Sequence, residues 1–233
     1  AAGERQVQPV DRASFDQAFH VAPLWLDEAT SFATTGSDPK LLTRRQWVSQ
    51  TMPVWIEFVE PVATSISDAL MRVMASEAPE EMQSALAGAN SFLRSIGGTL
   101  FAMQLGHVVG QLASEVISGG DVGIPLLEPG SSAVVPQNAA QFAADLDIPA
   151  SEIAMYVSIR ELAHARLFKH ARWLRLHVLS AIGAFARGVH IDVDRLRDVA
   201  EGFDPANPEQ LQQALRDGSL IPPKSEAQLT ALA

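Results

Sequence analysis

"SIRELAHARLFKH", residues 158–170, decides how the chain is read. It lies in a run without proline or glycine from Ser151 to Phe168, which reads as one helix. At about 100° per residue, Arg160 and His164 sit about 40° apart around the axis, and Glu161 lies about 100° from Arg160. Ile153, Val157 and Phe168 fall in the same sector. The helix is therefore apolar almost all round, the pattern of a buried element. Buried charges need partners, so Arg160 and Glu161 are expected either to be paired or to line a cavity. Glu115, or a carboxylate beyond residue 233, is the expected partner of Arg160, because a neighbour in the same helix points the wrong way.

Glu161 and His164 also have the spacing of the last two polar residues of H-E-x-x-H. In that motif two histidines bind zinc from one helix face and the glutamate acts as general base on the metal-bound water. Arg160 stands where the first histidine would be. A guanidinium has no lone pair for a metal, and its charge repels a second cation. Three readings stay open. Arg160, Glu161 and His164 form a network joining buried helices; or they line a metal-free pocket with Glu161 as general base; or His164 binds a metal with other ligands. Those ligands would come from His107, His170, His177, Glu115 or residues beyond 233.

Outward from this helix the chain reads as mainly α. An amphipathic helix is expected over 22–32. Another starts after Thr43 as N-cap, with Pro53 and Pro61 expected to break or kink it. A long helix, or two in succession, is expected over 80–118 around Gly97-Gly98. Gly106 and Gly110 in that segment imply tight helix packing. "RWLRLHVLSAIGAFARG" reads as a helix ending at Gly188, with Trp173 and Leu174 packed against the 151–168 helix. Short helices follow in "DVDRLRDVAEG" and "NPEQLQQALRDG", and a capping box at Ser225 and Gln228 starts one more. The Gly-, Pro- and Ser-rich segment 119–138 is the longest irregular stretch, where "AVV" is expected to pair with "GIPLL" in a small β-hairpin. The expected organisation is an N-terminal extension over 1–20 and a single helical domain over 21–233 that continues beyond the C-terminus.

Composition excludes several classes. Hydrophobic residues make up 47% of the 233, against disorder. Lys and Arg number 17 against 27 Asp and Glu, for a net charge of −10, a poor basis for binding nucleic acid or an anionic membrane. There is no cysteine, so thiolate metal sites and disulfides are excluded. The acidic, cysteine-free composition and the polar opening fit a cytoplasmic protein.

"LWLDEATSF", "QWVSQTMPVWIEFVEPVA", "GIPLLEPGSSAVVPQNAAQF", "IRELAHARLFKHARWLRLHVLSAIGAFARGVHID" and "DPANPEQLQQAL" together resemble a family of actinobacterial hydrolases. That family is classed as zincin-like metallopeptidase type 2 and is related to proteins linked with deazaflavin-coenzyme biosynthesis. The resemblance implies a helical zincin-like domain. It places Glu161 at the catalytic glutamate, His164 at the second zinc ligand and Arg160 at the first. The nearest branch carries R-E-x-x-H, as here, and members continue past position 233 into a helix with a glutamate. Zinc is the cofactor the resemblance implies, although the residues of this chain lead to none being expected. A peptide or small molecule is the substrate class. The alternative is a non-enzymatic binding or scaffold protein on a zincin-derived fold.

Overall fold

The structure, a computed structural model, describes residues 3–77, 98–99, 101–146 and 148–188. The expected helices after residue 188, and residues 80–97 of the one expected over 80–118, lie outside the described residues. The chain divides into two compact units, 1–55 with 106–179 and 56–105 with 180–233. The first carries the R-E-x-x-H helix.

The described chain is mainly α. Helix α1 spans Pro9–Ala29, entered through Asp11, whose Oδ2 accepts the Gln8 N–H at 2.8 Å. It is longer than the 22–32 segment expected and runs through Pro23. The expected boundary at 20/21 falls inside it, and Phe15 and Ala18 are core residues. Helix α2 spans Arg44–Glu77. Thr43 caps it as expected: its Oγ1 accepts the Gln46 N–H at 3.2 Å, and Gln46 Oε1 accepts the Thr43 N–H at 2.9 Å. The break expected at Pro53 and Pro61 is absent. The carbonyls those prolines strand belong to Ser49 and Glu57, both exposed, where water can take the lost bond. Helical residues 101–112 are α3. A Cβ at Gly106 or Gly110 would meet nothing within 4 Å, so the tight packing expected there is not seen among the described residues.

The β element is two residues per strand. β1 (Lys40–Leu41) and β2 (Ala133–Val134) pair in parallel. "AVV" thus pairs with residues 40–41 and not with "GIPLL". On its other side Val134 bridges Ser118 in antiparallel sense. The Gly119 N–H donates to Ala133 O at 2.8 Å and the Val135 N–H to Ile117 O at 2.9 Å. The segment 122–127, which contains Pro125 and has Gly123 at φ 79°, makes turns and bends instead.

Helices α4 (Pro136–Leu146), α5 (Ala150–His170) and α6 (Arg172–Arg187) complete the described chain. α5 is the centre of the first unit, packed on α1, α4 and β2. Its Ile153, Ala154 and Val157 join Phe15, Ala18, Ile117, Val134, Ala139 and Ala143 in one core cluster. Leu162 packs with Ala22 and Leu26 of α1. Buried Arg166 locks the same pair of helices: it meets Asp27 at 2.7 Å and donates to Phe32 O at 3.1 Å. The expected packing of Trp173 fails, since that side chain is 70% exposed. The end of α5 is covered instead by the segment after α1. His170 stacks on Phe32, with ring centroids 5.3 Å apart, and Lys169 reaches Thr35 O. Gly188 follows α6 as expected, its N–H bonding Ala184 O at 3.1 Å. Among the described residues, no helix is long and apolar enough to cross a membrane.

Candidate functional site

α5 presents Arg160, Glu161 and His164 to the segment 117–133, where each meets a different part of the backbone. Glu161 is 1% exposed. Its Oε2 accepts the Gly120 N–H at 2.8 Å, and its Oε1 accepts the Ala133 N–H at 2.9 Å. These amides lie at the edge of the small ladder, and the carboxylate supplies the acceptors that backbone pairing does not. Burial pushes the carboxyl up from its ordinary value, while the Ala133 and Gly120 amides and the Arg160 charge pull it down.

Arg160 turns to the same segment one residue on. Its Nη1 pairs with Asp121 Oδ1, and its Nη2 donates to Asp121 O at 3.1 Å. Asp121 Oδ2 also accepts the Ile117 N–H at 2.9 Å, which closes the turn. The ion pair is only partly buried, with side-chain exposures of 38% and 24%. A carboxylate does hold Arg160, but it comes from a loop. Glu115, the expected partner, is exposed.

His164 lies between Gly120 and Phe168. Its ring centroid is 4.7 Å from that of Phe168. A Cβ at Gly120 would fall 2.5 Å from His164 Cγ and Nδ1, so only glycine lets the backbone come this close. Nε2 is buried and has no hydrogen-bond partner. Burial lowers the tendency of the ring to protonate, and the Arg160 charge adds to this. A pocket opens beside it, lined by Pro125, Leu127, Ser131, Glu161, Phe168 and Arg175 among others. Its enclosed part measures about 10 Å³, room for about one water.

The other histidines named from sequence do not join His164. His107 and His177 are exposed, and His170 Nε2 lies 3.0 Å from Ala33 O. Gly120, Asp121, Ala133 and Arg175 were not anticipated. Gly119-Gly120-Asp121 is the signal that pointed there, two adjacent glycines where a chain must press against a helix.

A family model for zincin-like metallopeptidases matches residues 1–233. The chain belongs to the zincin-like metallopeptidase family. No curated protein and no solved structure matches it significantly. The family implies zinc, and the donor set can be tested against it. At the first ligand position stands a guanidinium already paired with Asp121. Each oxygen of the glutamate already accepts one backbone amide. Only His164 Nε2 is an unpartnered candidate donor on this helix. Among the described residues, no group of three His, Asp or Glu side chains is placed to hold a metal. The described residues of this zincin-like chain do not fit a zinc centre.

Proposed function

We propose that this chain is a binding protein on a zincin-derived fold, in which the R-E-x-x-H helix has become a brace. Glu161 carries the reading. A general base must reach a substrate or a water with a free lone pair. Glu161 borders the pocket beside His164, yet it is 1% exposed and each of its oxygens accepts a backbone N–H. Arg160 works in the same sense by holding Asp121, and the two adjacent residues together fasten segment 117–133 to α5. The pocket beside His164 is the ligand site in this reading.

The second reading is a hydrolase related to zinc metallopeptidases, with Glu161 as base and His164 as ligand or acid. Membership of the family and the unpartnered His164 Nε2 favour it.

Zinc content and peptidase activity of the full-length protein, purified without chelator, separate the two. The binding-protein reading expects less than stoichiometric zinc and no peptide hydrolysis that depends on Glu161. Stoichiometric zinc lost in a His164→Ala variant, or hydrolysis abolished in a folded Glu161→Gln variant, would overturn it.

A further inference from the structure

The pocket beside His164 has enclosed room for about one water. To take anything larger it must widen, and its walls differ in how firmly they are held. Glu161, His164 and Ala165 line it from α5, the packed centre of the unit. Pro125, Leu127 and Pro129 line it from segment 124–129, which is attached in another way. The backbone hydrogen bonds of that segment all close within 120–131. The Gly123 N–H donates to Gly120 O, the Leu126 N–H to Ile124 O and the Ser131 N–H to Glu128 O, each at 2.9 Å. Among the described residues the segment makes no ion pair. The stretches on either side are bonded across the ladder and to Glu161.

Both ends of the segment are glycines in the left-handed region, Gly123 at φ 79° and Gly130 at φ 81°. Glycine absorbs large backbone rotations at little steric cost. Gly123 is exposed, and a Cβ there would meet nothing within 4 Å. A Cβ at Gly130 would lie 3.1 Å from Lys169 Cδ, part of a flexible side chain. Between the two glycines, Pro125 and Pro129 stiffen the chain. What holds the segment down is apolar burial: Leu126 and Leu127 are buried, and Leu127 is seated against Gly119. Such contacts are non-directional, and they release and re-form without a bond to realign.

We infer that residues 124–129 are a flap, which swings between Gly123 and Gly130 and admits a ligand to the pocket beside His164. The inference rests on the reading of that pocket as the ligand site and adds how the site is reached. Lifting the flap removes the wall made by Pro125, Leu127 and Pro129 and leaves the α5 wall standing. Glu161 keeps its two amides throughout, because Gly120 and Ala133 lie outside the moving segment.

The chain has no cysteine, so single introduced cysteines report access. Ala165 lines the pocket and Ala139 lies in the core cluster of the same unit, and both are buried. In the full-length protein, methyl methanethiosulfonate should label Ala165→Cys at least about tenfold faster than Ala139→Cys, since the first needs only the flap to lift and the second needs the unit to unfold. Leu127→Cys, on the flap itself, should label at least as fast as Ala165→Cys. Adding Gly123→Ala should speed labelling at 165 about fivefold or more, because alanine disfavours the left-handed backbone of the closed form. Gly36→Ala is the matched control. Gly36 has φ 74° and also meets nothing within 4 Å, but it lies outside the flap, and the rate at 165 should not change. Equal rates at 165 and 139, or a rate at 165 untouched by Gly123→Ala, would overturn the inference. Zinc measured on the unmodified protein is a separate readout: zinc held by His164 sinks the binding-protein reading, while the labelling rates alone decide the flap.

Discussion

The Gly120 amide donates to Glu161 Oε2 at 2.8 Å in a place that solvent does not reach, and the Ala133 amide takes the other oxygen at 2.9 Å. A carboxylate bridging two backbone amides is a structural device. Glu161→Gln preserves shape but turns an NH₂ group towards one of the two amides, so one hydrogen bond is replaced by two opposed donors. The variant is expected to lose about 1–3 kcal/mol of stability. Urea unfolding of both proteins measures this. A Glu161 that served only catalysis would leave stability unchanged or improved.

Arg160→Ala removes an ion pair that is partly open to water. Such pairs contribute little, and the bond to Asp121 O adds a modest amount. The expected loss is about 1–2 kcal/mol, below the 3–5 kcal/mol typical of a broken buried pair. The ion-pair share should shrink in about 1 M salt, where screening is strong. A loss that is unaffected by salt would mean that the pair is better shielded than its exposure implies.

Gly120→Ala places a methyl against the His164 ring. Neither the ring, backed by Phe168, nor the backbone amide bonded to Glu161 has room to move freely. Overpacking of this kind costs about 1–3 kcal/mol. The His164 ring resonances in an NMR spectrum should shift as well. Gly106→Ala, where nothing lies within 4 Å, is the matched control and should cost nothing or stabilise its helix.

The two titrating groups of α5 pull stability in opposite directions with pH. His164 has its pKa lowered from 6.5, so the folded state binds fewer protons than the unfolded one. Its contribution is present above pH 6.5 and is lost as pH falls towards the folded value. Glu161 has its pKa raised from 4.5. Its contribution is present below pH 4.5 and is lost as pH rises through the folded value. Relative to His164→Asn, the unmodified protein should therefore lose stability between pH 7.5 and 5.5. Thermal melts across that range read the difference, and a flat difference would mean that His164 protonates as easily folded as unfolded.

Arg160→His restores H-E-x-x-H and frees Asp121 beside it. The new imidazole stands four residues from His164, and the 120–121 segment meets both positions. The full-length variant is expected to take up zinc that the parent does not, and Asp121→Ala added to it should abolish the gain. Elemental analysis after dialysis checks both. Uptake that survives loss of Asp121 would place the third donor elsewhere.

Much of this arrangement was legible in sequence because it is local. The uninterrupted run through Ser158 marks α5, Thr43 and Gln46 mark the start of α2, and the apolar surround of Glu161 says that it is buried. Its partners were not legible. Gly120 and Ala133 lie 41 and 28 residues away and contribute backbone amides, which every residue carries and no side-chain pattern reveals. The strand pairing failed for a related reason: two-residue strands have no period to read, and Ala133 pairs with Lys40 from far along the chain. Trp173 went wrong because a short link fixes that two helices follow each other, not which side chains face inward.

The partners in that ladder are roughly ninety residues apart along the chain. Joining them closes a large loop before any contact repays the entropy. The helices can form early from their own short-range signals, whereas the ladder, whose Ala133 amide Glu161 receives, is expected to form late. The clamp is then a late event in folding and an early one in unfolding. Its strength governs how long the native state survives once formed, and has little effect on how fast that state is reached.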